Sequence, residues 1–469
     1  MKFFLKHIWI IASLFMVSSC EDFLNVNENP NVATQPPLAG LFAVGTYQTG
    51  LNHQRVAGST SFYTQYFASP NAGLGNDVYE QVDLSGTWTS IYDVMTDIYD
   101  LIELANEGGS PEVAGAGKLL MATNLGLLAD LWGDVPYSEA FTGLNIIPVY
   151  DNAQVIYNEI FALISAARSD LNASSSNTTL AKIAASDFIL GGSKARWLQY
   201  SYALEARYKL HFSKGSSFDA AGILSAVSSA FQSNSDQAQV TKFEVRNPWA
   251  GVAINNANLV LGGWLSEQFI DALNGTTFGV VDPRLAKITT PLPDGSYAGT
   301  ANGAGRKGDG TVKLECYLEN SRAYASNNSP LYVFTLAELK FIEAETALAS
   351  DRNRALSAFL AGVQAHMTDM GVSSTDADAY IEAAYPGLGA ASLTLDMIMR
   401  EKYVAMFLHP ESWTDARRFN YQYKDFTLPA NAELSEFIRR VQYPSVEITR
   451  NRQNVPIINT LTERLFWDN

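Results

Sequence analysis

The chain has 469 residues, 47% of them hydrophobic and 17% charged, a balance that excludes intrinsic disorder. Its formal charge is 32 − 48 = −16, which argues against nucleic acid and anionic lipid headgroups as partners. It contains only two cysteines, Cys20 and Cys316.

Met1 to Cys20 reads as a targeting segment. Lys2 and Lys6 precede a short apolar run, Ile8 to Val17, which is too short to span a bilayer. Small residues then lead to Cys20, a pattern that resembles a bacterial lipobox with Val17 in place of the usual Leu. The resemblance implies a signal peptide over 1–19, cleavage before Cys20 and lipidation of that residue. Several acyl chains at ~0.8 kcal/mol per buried methylene would hold the protein on a membrane. Loss of Lys2 and Lys6 takes the charge to 30 − 48 = −18. Cys316 then has no partner for an intramolecular disulfide, so the fold must rest on its core. Residues 20–38, polar and rich in Asn and Pro, read as a tether.

The rest, 39–469, reads as one domain. Leu41 to Tyr66 is apolar enough for a helix. Ala68 to Gln81 holds Pro70, Asn71, Gly73, Gly75 and Asn76 and reads as a loop. Trp88, Tyr92, Met95, Tyr99 and Ile102 follow at helical spacing. Helices are expected over about 114–132 and 151–171, joined by an elbow, LADLWGDVPYSEAF. Gly133 can take a left-handed conformation there, Pro136 forbids the helix to resume, and Val135 is biased towards an extended backbone. The aromatic tips Trp132, Tyr137 and Phe141 are expected to fix the bend. Lys194 to Phe212 is amphipathic, with Arg207 one position off its aromatic stripe and expected in a buried ion pair, and a helix over about 218–232 pairs with it. From about 240 to 330 the pattern turns to glycine-rich loops and short apolar runs, and loops this long tend to be functional. Ser329-Pro330 is expected to open a strong helix, LYVFTLAELKFIEAETALA, with Arg354 to Met370 as its partner. Small residues at that contact resemble tetratricopeptide packing, although no strict 34-residue repeat is present. Leu395 to Phe407 is the last long helix. Glu401, Arg417, Arg418 and Glu447 are expected in structural ion pairs.

Six stretches carry a resemblance: FLNVNENPNVAT, the elbow, KARWLQYSYALEARYKLHFS, VVDPRLAKI, HPESWTDARRFNY and RRVQYPSVEITRNRQNV. Together, in this order, they resemble the SusD-like branch of the SusD/RagB family of outer-membrane nutrient-binding lipoproteins of Bacteroidetes. The resemblance implies a mostly α fold in which tetratricopeptide-like helix pairs form a scaffold, with long loops and a few short strands. It implies an outer-membrane lipoprotein facing the cell exterior, for which Glu21-Asp22 resemble a surface-display signal. It also implies capture of an oligosaccharide or peptide and its delivery to a SusC-like TonB-dependent transporter, which the protein caps as a hinged lid. The family's ligand loops fall on Tyr66, Asn71, Asn76, Tyr79 and Trp88, and on Tyr317, Tyr324 and Asn327.

No catalytic motif competes with this. The five histidines form no HExxH pair, Gly115 to Leu119 fails as a phosphate loop, and no G-x-S-x-G is present. No metal or cofactor is expected, and no bond need be broken. A surface hydrolase would need a carboxylate pair, with Asp83 the nearest candidate. A helix-repeat adhesin would need a concave protein-binding face instead.

Overall fold

The computed structural model describes residues 36–257, 262–308 and 313–468. The expected signal peptide, the lipidated Cys20 and the tether up to residue 35 lie outside them.

Helix α1 (Leu38–Tyr63) is flanked by α2 (Ser85–Glu107) and α3 (Pro111–Trp132). Proline opens α3 where no N–H is needed. From Val113 to Trp132 every residue of α3 except Lys118 is buried, and Lys118 pairs with Asp170 at 2.5 Å. A helix apolar on all sides must be surrounded, and glycines let its neighbours close in. A Cβ at Gly115 would lie 2.8 Å from the Ala167 carbonyl of α4 (Ala153–Asn172). One at Gly126 would lie 2.1 Å from the Tyr208 hydroxyl of α5 (Lys194–His211).

The elbow forms where expected. Gly133 has φ 86° and ψ −103°, outside the left-handed helical well and open only to glycine. Val135 is extended and pairs with Asp151. The Asp151 carboxylate accepts from the amides of Tyr137 and Ser138, and Tyr92 donates to the Pro136 carbonyl. Phe141 stacks on Tyr99 and meets Tyr137 edge-on. The C-terminal segment closes over the bend: Trp132 donates to the Gln442 carbonyl, Tyr443 to the Asp134 carbonyl, and Tyr150 to Glu447 at 2.9 Å.

Helix pairs continue the stack. α5 pairs with α6 (Ala220–Ser229), and α10 (Leu336–Ala347) with α11 (Arg352–Asp369). Between those pairs come the short helices α7 (Pro248–Ala257), α8 (Glu267–Asn274) and α9 (Leu285–Ile288). Gly362 brings α11 against the Phe341 ring of α10, where a Cβ would sit at 3.0 Å. The C-terminal helices are α12 (Ser374–Ala384), α13 (Leu395–Ala405), α14 (Glu411–Arg418) and α15 (Ser445–Arg450). The strands are short: β1 (Phe67–Ala68) pairs with β3 (Trp264–Leu265), and β2 (Ala238–Val240) with β4 (Leu331–Phe334). The fold is mostly helical, as expected.

Two boundaries differ from the sequence reading. Ser329-Pro330 opens a strand rather than a helix: LYVF is a run of β-formers that pairs with β2, and α10 begins only after Thr335 caps it. The last long helix stops at Ala405, because Leu408 adopts φ 61°.

Buried ion pairs tie distant elements. Arg207 bonds both Glu338 oxygens at 2.6 and 2.7 Å and the Val333 carbonyl at 2.9 Å. Arg284 joins Asp282 to Glu401, and Arg418 joins Glu345 to Asp415. Two residues expected in ion pairs bond otherwise. Arg417 lies over the Trp413 ring and donates to the Asp130 and Arg439 carbonyls, and Glu447 accepts from Tyr150.

Asp369, at the end of α11, gives a pH prediction. Burial pushes its carboxyl up to about 6, although Asn234 and Gln237 both donate to Oδ1 at 2.7 and 3.2 Å. The folded value lies above the unfolded 3.8, so the carboxyl costs nothing below about pH 4 and penalises the fold as pH rises through 6. Asp369→Asn keeps an Oδ1 for both donors. It is expected to raise stability by about 2 kcal/mol at pH 7 and to change little at pH 4, as read by urea unfolding at the two pH values.

Candidate ligand-binding trough

Three loops meet beside the helical stack. The Asp77 carboxylate accepts from the amides of Ser69 and Gly303 at 2.9 and 2.7 Å and from the Asn302 side chain at 2.6 Å. Burial raises this carboxyl while the three donors oppose it. The Asn302 carbonyl in turn accepts from Ala430 at 2.9 Å. Segments 69–80, 301–305 and 428–431 are thereby latched together.

Against this latch lie α8 and the loop after α14. Ser266 caps α8 and Gly275, at φ 94°, ends it, so Thr276 to Phe278 turn back over its side. The loop after α14 holds Asn420, Tyr421, Asp425 and Asn431 at positive φ. A tyrosine at φ 56° is unfavourable by about 1 kcal/mol or more and needs surrounding support. Tyr421 has it: the ring stacks on Phe437 at 4.5 Å, and the hydroxyl bonds the Ile438 carbonyl and the Trp413 indole. That anchoring aims Tyr423, Lys424 and Asp425 at α8.

The result is two adjoining cavities that share Gln268. One, of about 330 Å³, is lined by Phe278, Tyr403, Phe419 and Tyr423 with Arg400 and Lys424. The other, of about 530 Å³, is polar and is lined by Gln65, Glu267, Asp271, Asn302, Asp425 and Thr427, among others. The saddle between them is made by two bonds, Gln268 to the Lys424 carbonyl at 3.1 Å and Lys424 Nζ to the Thr277 carbonyl at 2.6 Å. Arg400 lies 3.8 Å over the Phe278 ring and donates to the Tyr380 hydroxyl. In the polar cavity, burial raises the Asp271 carboxyl, and Glu267 and Asp425 add to the rise.

The expected ligand residues lie elsewhere, and several are interior. Trp88 is 4% exposed, edge-on to Trp132 at 5.0 Å and stacked on Tyr150 at 6.2 Å. Tyr66 is fully buried and donates to the Tyr403 carbonyl. Tyr79 is buried at φ 62° and closes the turn 75–78. Tyr324 is buried against His366 at 2.9 Å. Each ring already fills a packed space, so none offers a free face. Asn76 is half-buried and accepts from Tyr63, and Tyr317 is half-buried beside Trp264 with Lys313 at 4.5 Å over its ring. Asn71 and Asn327 are exposed. The sequence reading missed Phe278, Arg400, Tyr423, Lys424 and the acidic trio. The one available signal was the aromatic run FNYQY directly after α14.

Among the described residues one buried cluster has metal-ligand composition: Asp130, His211 and Glu411. Its geometry is that of a hydrogen-bonded chain. Glu411 bonds His211 Nε2, while Tyr157 bonds Nδ1 at 2.7 Å and Asp130 on the far side. The carboxylates flank opposite edges of one imidazole, so a single ion cannot reach all three without breaking these bonds. Burial would raise the Glu411 carboxyl, but His211 holds it well below the usual range. Asp83, the candidate acid, ties α2 to α15. Against slight burial, Ser445 and Ser85 pull its carboxyl down to about 2, the wrong direction for a proton donor.

Stacked helix pairs that present a trough between helices and loops define a class, the helical-repeat binding scaffold. The chain belongs to the SusD/RagB family: the SusD-like family model described as starch-binding associating with outer membrane matches residues 30–444. This is a family of nutrient- and glycan-binding proteins associated with the outer membrane. Similar solved structures include a SusD/RagB family protein from Bacteroides thetaiotaomicron, with TM-score 0.75, 21% identity, and coverage of 92% of this chain and 99% of that one. A chitin-binding SusD homolog from Flavobacterium johnsoniae has TM-score 0.76 and 20% identity, covering 92% and 98%. A SusD homolog from Parabacteroides distasonis has TM-score 0.72 and 21% identity, covering 92% and 97%. At these identities the likeness is one of fold. No curated protein matches the chain. No described helix is long and apolar enough to cross a membrane.

Proposed function

We propose that the protein is a cell-surface lipoprotein, anchored through Cys20, that captures an oligosaccharide or peptide. It passes the ligand unaltered to a SusC-like TonB-dependent transporter, over which it sits as a lid. The observation that carries this is the trough itself: paired cavities of about 330 and 530 Å³, walled by α8, α13 and the loop after α14 and lined by aromatic rings and fixed polar groups. The chitin-binding neighbour is consistent with an oligosaccharide. Asn71, Asn76, Tyr317 and Asn327 keep accessible surface and are proposed as outer contacts for a longer ligand.

The test is purification from the native outer membrane. The protein is expected to carry acyl chains on Cys20, to bring a large barrel protein with it, and to return bound oligosaccharides or peptides chemically intact. Cleaved products, or an unacylated chain with no barrel partner, would overturn the reading.

A further inference from the structure

The two halves of the trough carry opposite charge. In the aromatic half, Arg400 and Lys424 face one carboxylate, Asp396. Among the described residues the Lys424 ammonium donates one hydrogen bond, to the Thr277 carbonyl, which leaves it further donors. Arg400 bonds the Tyr380 hydroxyl, lies 3.9 Å from the buried Glu401 carboxylate behind it, and has the Phe278 and Tyr385 rings at 3.8 and 5.1 Å. In the polar half, Glu267, Asp271 and Asp425 face one ammonium, Lys307, 3.6 Å from Glu267. Asp271 accepts one side-chain bond, from Asn274 at 3.1 Å. The Lys424–Thr277 bond marks the boundary between the poles.

A neutral oligosaccharide can hydrogen-bond these groups through its hydroxyls but draws no advantage from their separation into two poles. A polyuronate would be repelled by the acidic half, and an oligomer of free amino sugars by the cationic half. A short peptide with free ends matches both. Resting on the nutrient-capture reading above, we infer that the trough takes a short peptide, with its terminal carboxylate at Arg400 and Lys424 and its terminal ammonium at Glu267, Asp271 and Asp425. Side chains between the ends lie against Phe278 and Tyr423.

The full chain, immobilised, is exposed to a casein digest in three forms: native, N-acetylated, and amidated at its carboxyl groups. Retained peptides are identified by mass spectrometry. Native short peptides are expected to be retained, and each blocking reaction to reduce retention at least about tenfold, as loss of a charge-assisted contact does. Lys424→Gln, which leaves Arg400 in place, is expected to weaken the response to amidation, and Asp271→Asn to weaken the response to acetylation. Both residues lie at the trough, and Lys424 is exposed, so folding is checked by an unchanged melting temperature. Equal retention of blocked and native peptides, or no retention of any peptide, overturns the inference. Capture of chitin or starch oligomers by the same column would sink the peptide assignment and leave nutrient capture standing. A chain that comes from its membrane without acylation or a barrel partner fails the functional reading regardless of what the column holds.

Discussion

Replacing Arg284 by Met is expected to cost about 4 kcal/mol or more and to lower the unfolding midpoint sharply. The guanidinium is fully buried. It donates to both Asp282 oxygens, to Glu401 at 2.6 Å and to His366 at 3.0 Å. Burial alone would disfavour its charge, but Asp282 and Glu401 outweigh that. Methionine fills the volume and strands two carboxylates where water cannot reach them. Glu401 keeps two donors, the hydroxyls of Tyr380 and Tyr385, each at 2.7 Å, with Arg400 at 3.9 Å, and among the described residues the Asp282 carboxylate keeps only the amide of residue 284. Glu401→Gln is expected to cost less, about 2 kcal/mol, because the tyrosines still have an acceptor and Arg284 keeps Asp282. Chemical unfolding of both variants at pH 7 checks the order. If Arg284→Met lost under 2 kcal/mol, the pairing would not be what fastens the 280–288 segment to α11 and α13.

Trp88→Ala is expected to lose about 3–5 kcal/mol of stability and to leave trough binding unchanged below its melting temperature. The indole packs on Tyr92, Trp132 and Tyr150, with Tyr443 at 6.5 Å, so its removal opens a cavity where α2, the elbow and the C-terminal segment converge. A variant that melted normally but no longer captured ligand would reverse this and restore Trp88 to a recognition role. The paired measurement, melting and binding on one preparation, separates the two outcomes.

The helical layer was legible because its punctuation is local. Gly133 and Pro136 bound the end of α3 and the elbow by backbone geometry that each residue imposes alone, whereas the start at Pro111, three residues before the expected one, was not read. Glu338 shows the limit. Its position on α10 follows from spacing, but that it meets Arg207, 131 residues earlier, belongs to the tertiary fold. LYVF was misread because its neighbour in the sheet, Ala238 to Val240, lies far away in sequence and strand pairing overrode the apparent helix. The trough was illegible for the same reason, more severely. Gln65, Asp271, Arg400 and Lys424 share no period and no local motif, and they come from four elements far apart in sequence: the turn after α1, α8, α13 and the loop after α14. Trp88 was placed on the correct element, but whether a ring after a glycine-rich loop is open or covered depends on Tyr150 and Tyr443, which nothing nearby announces.

The closure of residues 440–447 over the elbow has a consequence for how the molecule comes into being. Trp132 finds its acceptor, and Tyr150 its carboxylate, only in the last tenth or so of the chain. Such remote contacts must form before the early helices are sealed, which slows folding and favours completion after synthesis ends. A polypeptide that cannot finish its first layer without its tail is expected to complete that layer only once the last residues are available.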